Sequence, residues 1–390
     1  YDYQVRPFYE GNQFYLIIRE TFTDIRLVGA PPSAVGKFGF DSDNWVWPRH
    51  TGDFSLFRIY VDKNNRPAEY SENNVPYKAP RSVEISLNGI KENDFTMVYG
   101  FPGRTYEYLY SKVLDYTINE ELPMAIKMRE YSLSVIDKAI RQSEEIGIQY
   151  AAKQSRISNA YKKWIGQTSG LKRINAIEKK VMVEDKFNTA LKKDKKLGKM
   201  YSNIYSRYDQ NLIAYKKYHL ARKLFIEFVY YGPEFIRFVN GLHSEFEKEE
   251  NEDLEKNLKN RVEKFYKNYN PDIDKNILAG LSKILFDKMD DELLSDHLKK
   301  IKSEKNKDAF AEELFNNSTF LKPERIDTWL KNEDKSDIFD EDPAYQFTKA
   351  VYDMYADNIS PEYRKIDDVF DALDKTYMEA LMKILPEEKD

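Results

Sequence analysis

Residues 37–58 read KFGFDSDNWVWPRHTGDFSLFR and hold an unusual concentration of polar and aromatic side chains. Trp45 and Trp47 stand two positions apart, and a Pro-Arg-His corner and a Gly-Asp pair follow them. The chain then continues into the run FSLFRIYV over residues 54–61. Because alternation with a period of two is typical of a half-buried strand, this run predicts β structure. The segment as a whole predicts a crowded loop that ends at a strand.

Working outward, the flanking sequence to about residue 109 also predicts β structure. Short apolar runs occur at 13–22, 25–28, 83–87 and 95–99, and each is bounded by Gly, Pro or Asn. Gly11-Asn12 directly precedes the first run and is a hairpin turn signal. Several short strands at close spacing predict part of a barrel or a sandwich.

From about residue 110 the apolar positions follow the helical period instead. They recur at spacings of three and four, for example at Tyr201, Ile204, Tyr205, Tyr208, Leu212 and Tyr215. This period predicts helices. They are expected at about 116–149, 151–166, 170–196, 200–230, 233–249, 253–268, 274–290, 292–303, 307–315, 322–332, 343–356 and 361–384. The predicted fold class is α+β and mostly α, with a β segment over 1–109 and a helical domain over 110–390.

Composition excludes several classes of function. Charged residues make up 33% of the 390 residues and the net charge is −5, which argues against a dominant basic surface for nucleic acid. The chain has no cysteine, so it forms neither disulfides nor cysteine-ligated zinc. No apolar run approaches the roughly 20 residues of a membrane span. No metal-ligand spacing or cofactor motif is present, so we expect no metal, no cofactor, no membrane partner and no nucleic-acid partner.

Asp53 is the candidate for catalysis. An aspartate at the entrance to a strand is more often a turn residue or a cap. The alternative is a buried carboxylate that accepts a hydrogen bond from a histidine Nδ1–H and stabilises the imidazolium during acyl transfer. His50 is expected to be structural, and His219, His243 and His297 are expected to face solvent on charged helices. No Gly-x-Ser-x-Gly or Gly-Asn-Ser-Gly motif supplies a nucleophile.

Asn44, Trp45 and Asn159 are candidates for ligand binding. The ordinary interpretation makes Asn44 a turn residue, Trp45 a core residue and Asn159 part of a solvated helix face. The functional interpretation uses the asparagine carbonyl oxygens, which can accept hydrogen bonds from an ammonium group. The residues alone leave both interpretations open.

Longer motifs carry a resemblance to a known family. They are ETFTD at 20–24, RLVGAPP at 26–32, GKFG at 36–39, DNW at 43–45, DFS at 53–55, GFPGR at 100–104, ISNAYKKW at 157–164 and YMEAL at 377–381. Together they make the chain similar to the bacterial serine dipeptidyl-peptidases of the dipeptidyl-peptidase 7 and dipeptidyl-peptidase 11 type. One departure is Phe40, which stands where many relatives have a second glycine.

The resemblance implies a fold and a set of roles. The family has a chymotrypsin-like double β-barrel with a helical domain inserted between the barrels. Asp53 then matches the triad aspartate, while Asn44, Trp45 and Asn159 match residues that hold the α-amino group of the substrate. The helical domain would cap the active site and limit cleavage to dipeptides from peptides with a free N-terminus.

The resemblance also implies what this chain lacks. The chain starts with Tyr-Asp-Tyr-Gln, without an initiator methionine or a signal peptide, so we expect an internal piece of a longer protein. The triad serine and histidine are expected outside it, and the piece alone is expected to be inactive. The full-length enzyme is expected to be a homodimer in the periplasm or at the cell surface. The sequence does not decide between an acidic and a hydrophobic residue at the cleavage position.

Two hypotheses for the function therefore stand after the sequence has been examined. The first is the middle portion of a serine dipeptidyl-peptidase. The second is a non-enzymatic helical interaction module on a β base, in which Asp53 and the asparagines are structural.

Overall fold

The structure is a computed structural model that describes residues 1–98, 106–248, 253–331 and 337–388. It divides into two compact units, Tyr1–Leu109 and Tyr110–Asp390. The GFPGR motif lies outside the described residues. The interpretation of the two units as a barrel segment and a cap stays a prediction.

The N-terminal unit contains two small antiparallel sheets. Strands β1 (Asp2–Phe8) and β2 (Gln13–Arg19) form a hairpin, in which Asp2 pairs with Arg19 and Phe8 with Gln13. Gly11 has a φ of +79° in the connecting turn, which confirms the predicted turn signal. The second sheet has the order β3 (Ile25–Gly29), β4 (Leu56–Val61) and β5 (Val75–Pro76). Between β3 and β4 lie the short helix α1 (Ser33–Gly36) and a 3₁₀ turn at Phe40–Ser42.

Two strand predictions in this unit are wrong. Residues 83–87 and 95–98 form no strand, and Val83, Ile85 and Leu87 are each more than 90% exposed. A run of β-forming residues becomes a strand only where another strand pairs with it, and within the described residues none pairs with these. The described sheets have two and three strands, so they do not by themselves make the closed barrel that the resemblance implies.

The second unit is helical, as predicted. Its α-helices are α2 (Ser111–Tyr116), α3 (Leu122–Ile140), α4 (Glu144–Arg173), α5 (Ala176–Lys193), α6 (Lys195–Tyr201), α7 (Ile204–Tyr231), α8 (Glu234–Phe246), α9 (Leu254–Tyr266), α10 (Pro271–Lys288), α11 (Asp296–Ser303), α12 (Lys307–Asn317), α13 (Pro323–Leu330), α14 (Asp337–Glu341), α15 (Pro343–Asp353) and α16 (Ser360–Ile384). Single π-helical segments at Thr117–Glu121 and Met354–Ile359 precede α3 and α16.

One helix boundary differs from the prediction in a way that affects the candidate site. The sequence predicts a first helix to residue 149 and a second from residue 151, whereas the structure ends α3 at Ile140 and starts α4 at Glu144. The Ser143 hydroxyl accepts a hydrogen bond from the backbone N–H of Ile146, and two glutamates follow in the first turn. An N-cap with acidic residues behind it stabilises a helix start at this point. Asn159 therefore lies in the middle of a 30-residue helix.

The core of the helical unit is aromatic and aliphatic. Phe228 on α7, Phe235 on α8, Leu278 on α10 and Phe347 on α15 belong to one fully buried cluster. The rings of Phe228 and Phe235 each pack against that of Phe347. The long helices are therefore held by packing of their apolar stripes, which the helical period of the sequence predicts.

Candidate functional site

The loop between α1 and β4 has an unusual backbone. Gly39, Phe40 and Trp45 have φ values of +78°, +44° and +59°. A Cβ on Gly39 would lie 1.9 Å from Asp43 Oδ2, so only glycine fits there without displacing this carboxylate. Phe40 and Trp45 adopt a region that costs a residue with a Cβ roughly 1–2 kcal/mol. The loop therefore keeps its shape because other contacts hold it.

Arg49 provides several of those contacts. Its Nε donates to Thr51 Oγ1 at 3.1 Å, and its Nη1 donates to Asn44 Oδ1 at 3.2 Å. The hydroxyl of Thr51 donates in turn to the carbonyl of Phe38 at 2.8 Å. The guanidinium group thus links Thr51 to the Asn44 side chain, and the Thr51 hydroxyl joins the two ends of the loop. Sequence reasoning missed this role, although an arginine five residues from the candidate asparagine was a possible signal.

Asp53 lies near the end of this loop. The backbone N–H of Gly52 donates to the carbonyl of Val35 at 3.0 Å, and a Cβ on Gly52 would lie 2.9 Å from Val35 Cγ1. Glycine therefore lets the chain pass close to α1 immediately before the carboxylate. The Asp53 side chain is exposed in this structure, whereas the catalytic interpretation expects a buried carboxylate, and two residues separate it from β4. An exposed carboxylate at a fixed backbone position is open to a partner group.

Asp24 and Arg26 belong to the motifs ETFTD and RLVGAPP, and both residues have a structural role. The Asp24 carboxylate is buried and receives two parallel hydrogen bonds from Arg26, at 2.9 Å from Nε and 2.8 Å from Nη2. Asn74 Nδ2 donates to the same carboxylate at 2.8 Å. These hydrogen bonds, that of Arg26 first, lower the pKa of Asp24 to about 2. Arg26 also lies over the ring of Tyr60, 3.8 Å from its centroid, so this group ties β3 to β4.

Asn159 lies in the helical unit, on an exposed position of α4. Its neighbours Ile157 and Ser158 are buried, so the motif ISNAYKKW changes from a core face to a solvent face within one residue. Asn44 and Trp45 are neighbours in one loop, whereas Asn159 belongs to a different unit. The role of all three as substrate ligands stays a prediction.

A buried arginine holds α4 next to Asn159. Arg129 on α3 donates to both carboxylate oxygens of Glu227 on α7, at 2.6 and 3.2 Å, and to the Ile157 carbonyl at 3.2 Å. Its guanidinium lies 4.5 Å from the ring centroid of Trp164 and 3.8 Å from that of Tyr231. We call this group the Arg129 cluster. Because it contacts residues on both sides of Asn159, it fixes the position of this part of α4 relative to α3 and α7.

The histidines differ in part from the prediction. His297 is exposed, as expected, but His219 is largely buried, with its ring stacked at 3.7 Å on that of Tyr215. Burial, with the charge of Arg222 as a smaller cause, lowers the pKa of His219 to about 4. His219 is therefore a neutral aromatic residue of the helix packing at pH 7, not a solvent-facing group.

Two further observations concern ligands of other kinds. Among the described side chains, no group of three histidines and carboxylates is arranged to hold a metal ion. In the same residues, no helix is both long and apolar enough to cross a membrane.

The chain is similar to proteins of known activity. An Asp/Glu-specific dipeptidyl-peptidase from Capnocytophaga gingivalis is 39% identical over 97% of this chain and 54% of its own length. Dipeptidyl-peptidase 7 from Phocaeicola vulgatus is 33% identical over 99% of this chain and 54% of its own length. The chain therefore spans about half the length of these relatives.

The fold of the chain is also similar to solved structures of a dipeptidyl-peptidase. The crystal structure of DPP11 from Porphyromonas endodontalis superposes with a TM-score of 0.82 at 27% identity, covering 100% of this chain and 56% of that one. A complex of DPP11 from the same organism with the dipeptide Arg-Glu gives a TM-score of 0.78, also at 27% identity, covering 99% of this chain and 56% of that one. The family model that matches residues 1–389 is Peptidase S46, and the chain belongs to this peptidase family.

Proposed function

We propose that this chain is the middle portion of a serine dipeptidyl-peptidase that removes dipeptides from the free N-terminus of peptides. The observation that carries the proposal is the match of one peptidase family over residues 1–389. Family membership favours an enzyme over a non-enzymatic interaction module. The names of the relatives that are 39% and 37% identical favour an acidic residue at the cleavage position.

In this proposal Asp53 is the carboxylate of a Ser-His-Asp triad. A histidine from sequence outside this chain would donate its Nδ1–H to Asp53, which holds the imidazole in the correct tautomer and stabilises the imidazolium. The close contact of Gly52 with Val35 supports this role, because it fixes the backbone directly before Asp53, and the histidine would cover the carboxylate that is exposed here. The serine would likewise come from outside the chain.

Asn44, Trp45 and Asn159 would bind the α-ammonium group of the substrate. A peptide that must be held by its amino terminus can enter only to a fixed depth, so the cut falls after the second residue. The contacts of Arg49 with Asn44 and of the Arg129 cluster with the turn of α4 that carries Asn159 support fixed positions for both amides. We further propose a homodimer in the periplasm or at the cell surface, which light scattering and cell fractionation would test.

The first experiment tests Asp53 in the full-length protein. Asp53→Asn keeps the size of the side chain but removes its charge and replaces one acceptor oxygen with an NH2 donor, which favours the wrong histidine tautomer, so we expect kcat to fall by about 10⁴. Asp43→Asn is the matched control, because it changes another carboxylate of the same loop. The assay is a panel of fluorogenic dipeptides with Glu or Leu in second position. A variant at Asp53 that keeps most of its activity would remove this residue from the triad.

The second experiment tests Asn159. A hydrogen bond to a charged group contributes roughly 1.5–3 kcal/mol, so Asn159→Ala should lower kcat/KM by about 10- to 100-fold. It should also lower the binding preference for a free dipeptide over its N-acetylated form. Asn211→Ala is the control, since among the described residues the Asn211 amide donates only to the carbonyl of Arg207 on its own helix, at 2.8 Å. An unchanged preference in the Asn159 variant would show that Asn159 is an ordinary helix-surface residue.

A further inference from the structure

A basic cleft lies between α8 and α9 in the helical unit. It is a cavity of about 740 Å³, within the range of roughly 300–1,000 Å³ that is usual for small-molecule sites. Four of its lining residues are cations: Arg237 and Lys248 from the α8 side, and Arg261 and Lys264 on α9. We call it the α8–α9 cleft.

The negative charges in the cleft are already paired. Glu234 accepts from Lys153 at 2.7 Å, and Glu245 accepts from Lys248 at 2.6 Å. Among the described residues, neither a hydrogen bond nor an ion pair engages Arg237, Arg261 or Lys264. Within the described residues these three cations line one cavity without a carboxylate bonded to any of them, so they repel one another, and an anion between them would remove that repulsion.

Arg237 gives an independent indication. Its Nε atom is buried and has no hydrogen-bond partner in the described part of the chain. An unsatisfied buried donor is uncommon in a folded protein and points to a missing water or ion. The guanidinium therefore has binding capacity that the described residues leave unused.

Arg261 is held in the cleft by a glycine on the opposite helix. A Cβ on Gly241 of α8 would lie 2.4 Å from Arg261 Nη1 and 3.1 Å from its Cζ. The guanidinium thus lies against the backbone of α8, although Arg261 as a whole remains exposed to solvent. Beside it, the rings of Phe238 and Phe265 stack at 3.8 Å with an angle of 2° between their planes. The cleft combines a flat apolar wall with a positioned guanidinium.

From these observations we propose that the α8–α9 cleft binds a small anion that carries phosphate or carboxylate oxygens. Arginine matches the geometry of such groups with two parallel hydrogen bonds, and Lys264 would add a point charge. The lining of the cleft does not include Asp53, Asn44, Trp45 or Asn159, and nothing in the dipeptidyl-peptidase proposal requires this cleft.

The test uses the full-length protein, with inorganic phosphate and citrate as probes in isothermal titration calorimetry at constant ionic strength. The two probes distinguish phosphate from carboxylate chemistry. We expect Arg237→Gln and Arg261→Gln each to weaken binding of the preferred probe at least tenfold, because each removes a charge-assisted contact. Lys305→Gln, an exposed lysine outside the cleft, makes the same change in net charge and should alter the affinity less than twofold.

A glycine variant tests the geometry without deleting a charge. Gly241→Ala should displace Arg261 and weaken binding, whereas Gly170→Ala adds a methyl group in open space on α4 and should not. A rise in melting temperature with the probe should occur in the native protein and be lost in the Arg261 variant. Failure of both probes to bind, or equal affinity in the native protein and both arginine variants, would overturn the proposal.

Discussion

Removing Arg129 should destabilise the helical unit through the charge that it leaves behind. The Glu227 side chain is 1% exposed and receives two hydrogen bonds from Arg129, and its other cation is Lys223 at 3.6 Å. Arg129→Met fills a similar volume but leaves Glu227 with only that weaker partner. Breaking a buried pair in this way typically costs about 3–5 kcal/mol, and the remaining lysine favours the lower end of that range.

A second variant distinguishes the effect of the unpaired buried charge from the effect of a displaced α4. Arg129→Met with Glu227→Leu removes both charges, and such apolar replacements of a buried pair are often neutral. We expect this double variant to recover most of the lost stability in urea titrations followed by far-ultraviolet circular dichroism. It still lacks the contact with the Ile157 carbonyl two residues before Asn159.

The same variants link the Arg129 cluster to substrate binding. In the full-length protein, the double variant should bind a free dipeptide less tightly, while an N-acetylated dipeptide is unaffected. A loss of folded protein would weaken the binding of both dipeptides equally. The ratio of the two affinities, free over N-acetylated, therefore reports on the position of Asn159. The reasoning would be refuted by a single variant within about 1 kcal/mol of the native protein, or by a double variant as unstable as the single one.

Three further changes have defined outcomes. The pKa of His219 is about 4 when folded and ordinarily 6.5, so the unfolded chain takes up the proton first and stability falls as the pH drops from about 6.5 to 4. His219→Phe should remove about 2 kcal/mol of this loss between pH 7 and pH 5, measured as urea midpoints. Phe40→Gly should raise stability by about 0.5–1 kcal/mol in thermal melts, because φ is +44° and the side chain is 77% exposed. The 390-residue chain alone should hydrolyse no fluorogenic dipeptide, because the proposed serine and histidine are not part of it.

Each of these three has a contrasting result. Parallel pH profiles for the native protein and the His219 variant would show that another group causes the acid sensitivity. Phe54→Gly, at an exposed residue without a positive φ, should lower stability, so a similar effect at both positions would argue against relief of strain at Phe40. Turnover by the chain that survives repurification and is blocked by a serine-directed inhibitor would contradict the division of the triad.

The sequence predicts those features that depend on local period and capping. The stripe from Ile204 to Tyr215 lies in α7, as predicted, although Tyr201 belongs to the preceding helix α6. The Gly11-Asn12 turn gives the correct hairpin. The same reasoning fails at residues 83–87, because a β-forming run becomes a strand only where another strand pairs with it, and none does so within the described residues. Local pattern therefore identifies the helical unit better than the sheets.

Contacts between distant residues explain the other differences. His219 is buried because Tyr363 and Phe370 on α16 pack around it and its neighbour Tyr215, and no local pattern reports contacts across 150 residues. The contacts of Arg129 with Ile157 on α4 and Glu227 on α7 likewise join residues far apart in the sequence, so no local pattern predicts them. The motif ISNAYKKW illustrates the consequence, since Ile157 and Trp164 contact Arg129 while Asn159 faces solvent. A single motif can thus combine packing with a candidate binding residue.

Arg49 presents an electrostatic difficulty for the proposed ammonium site. Its Nη1 lies 3.2 Å from Asn44 Oδ1, so an ammonium on the same oxygen would lie roughly 5 Å from a guanidinium. The repulsion is about 1–3 kcal/mol for effective dielectric constants between 80 and 20. This is as large as the roughly 1.5–3 kcal/mol that the hydrogen bond contributes. Asn44 therefore binds an ammonium with a net gain only if a carboxylate compensates Arg49 or the guanidinium moves away.

Two substitutions at Arg49 separate its charge from its hydrogen bonds. Arg49→Lys keeps the charge and Arg49→Gln removes it, while both lose the forked contact with Thr51 and Asn44. If Asn44 holds the α-ammonium, the glutamine variant of the full-length protein should bind a free dipeptide about tenfold more tightly than the lysine variant. The two variants should bind an N-acetylated dipeptide equally. Equal weakening of both ligands in both variants would mean that Arg49 only shapes the loop, and Asn44 would then be a structural residue.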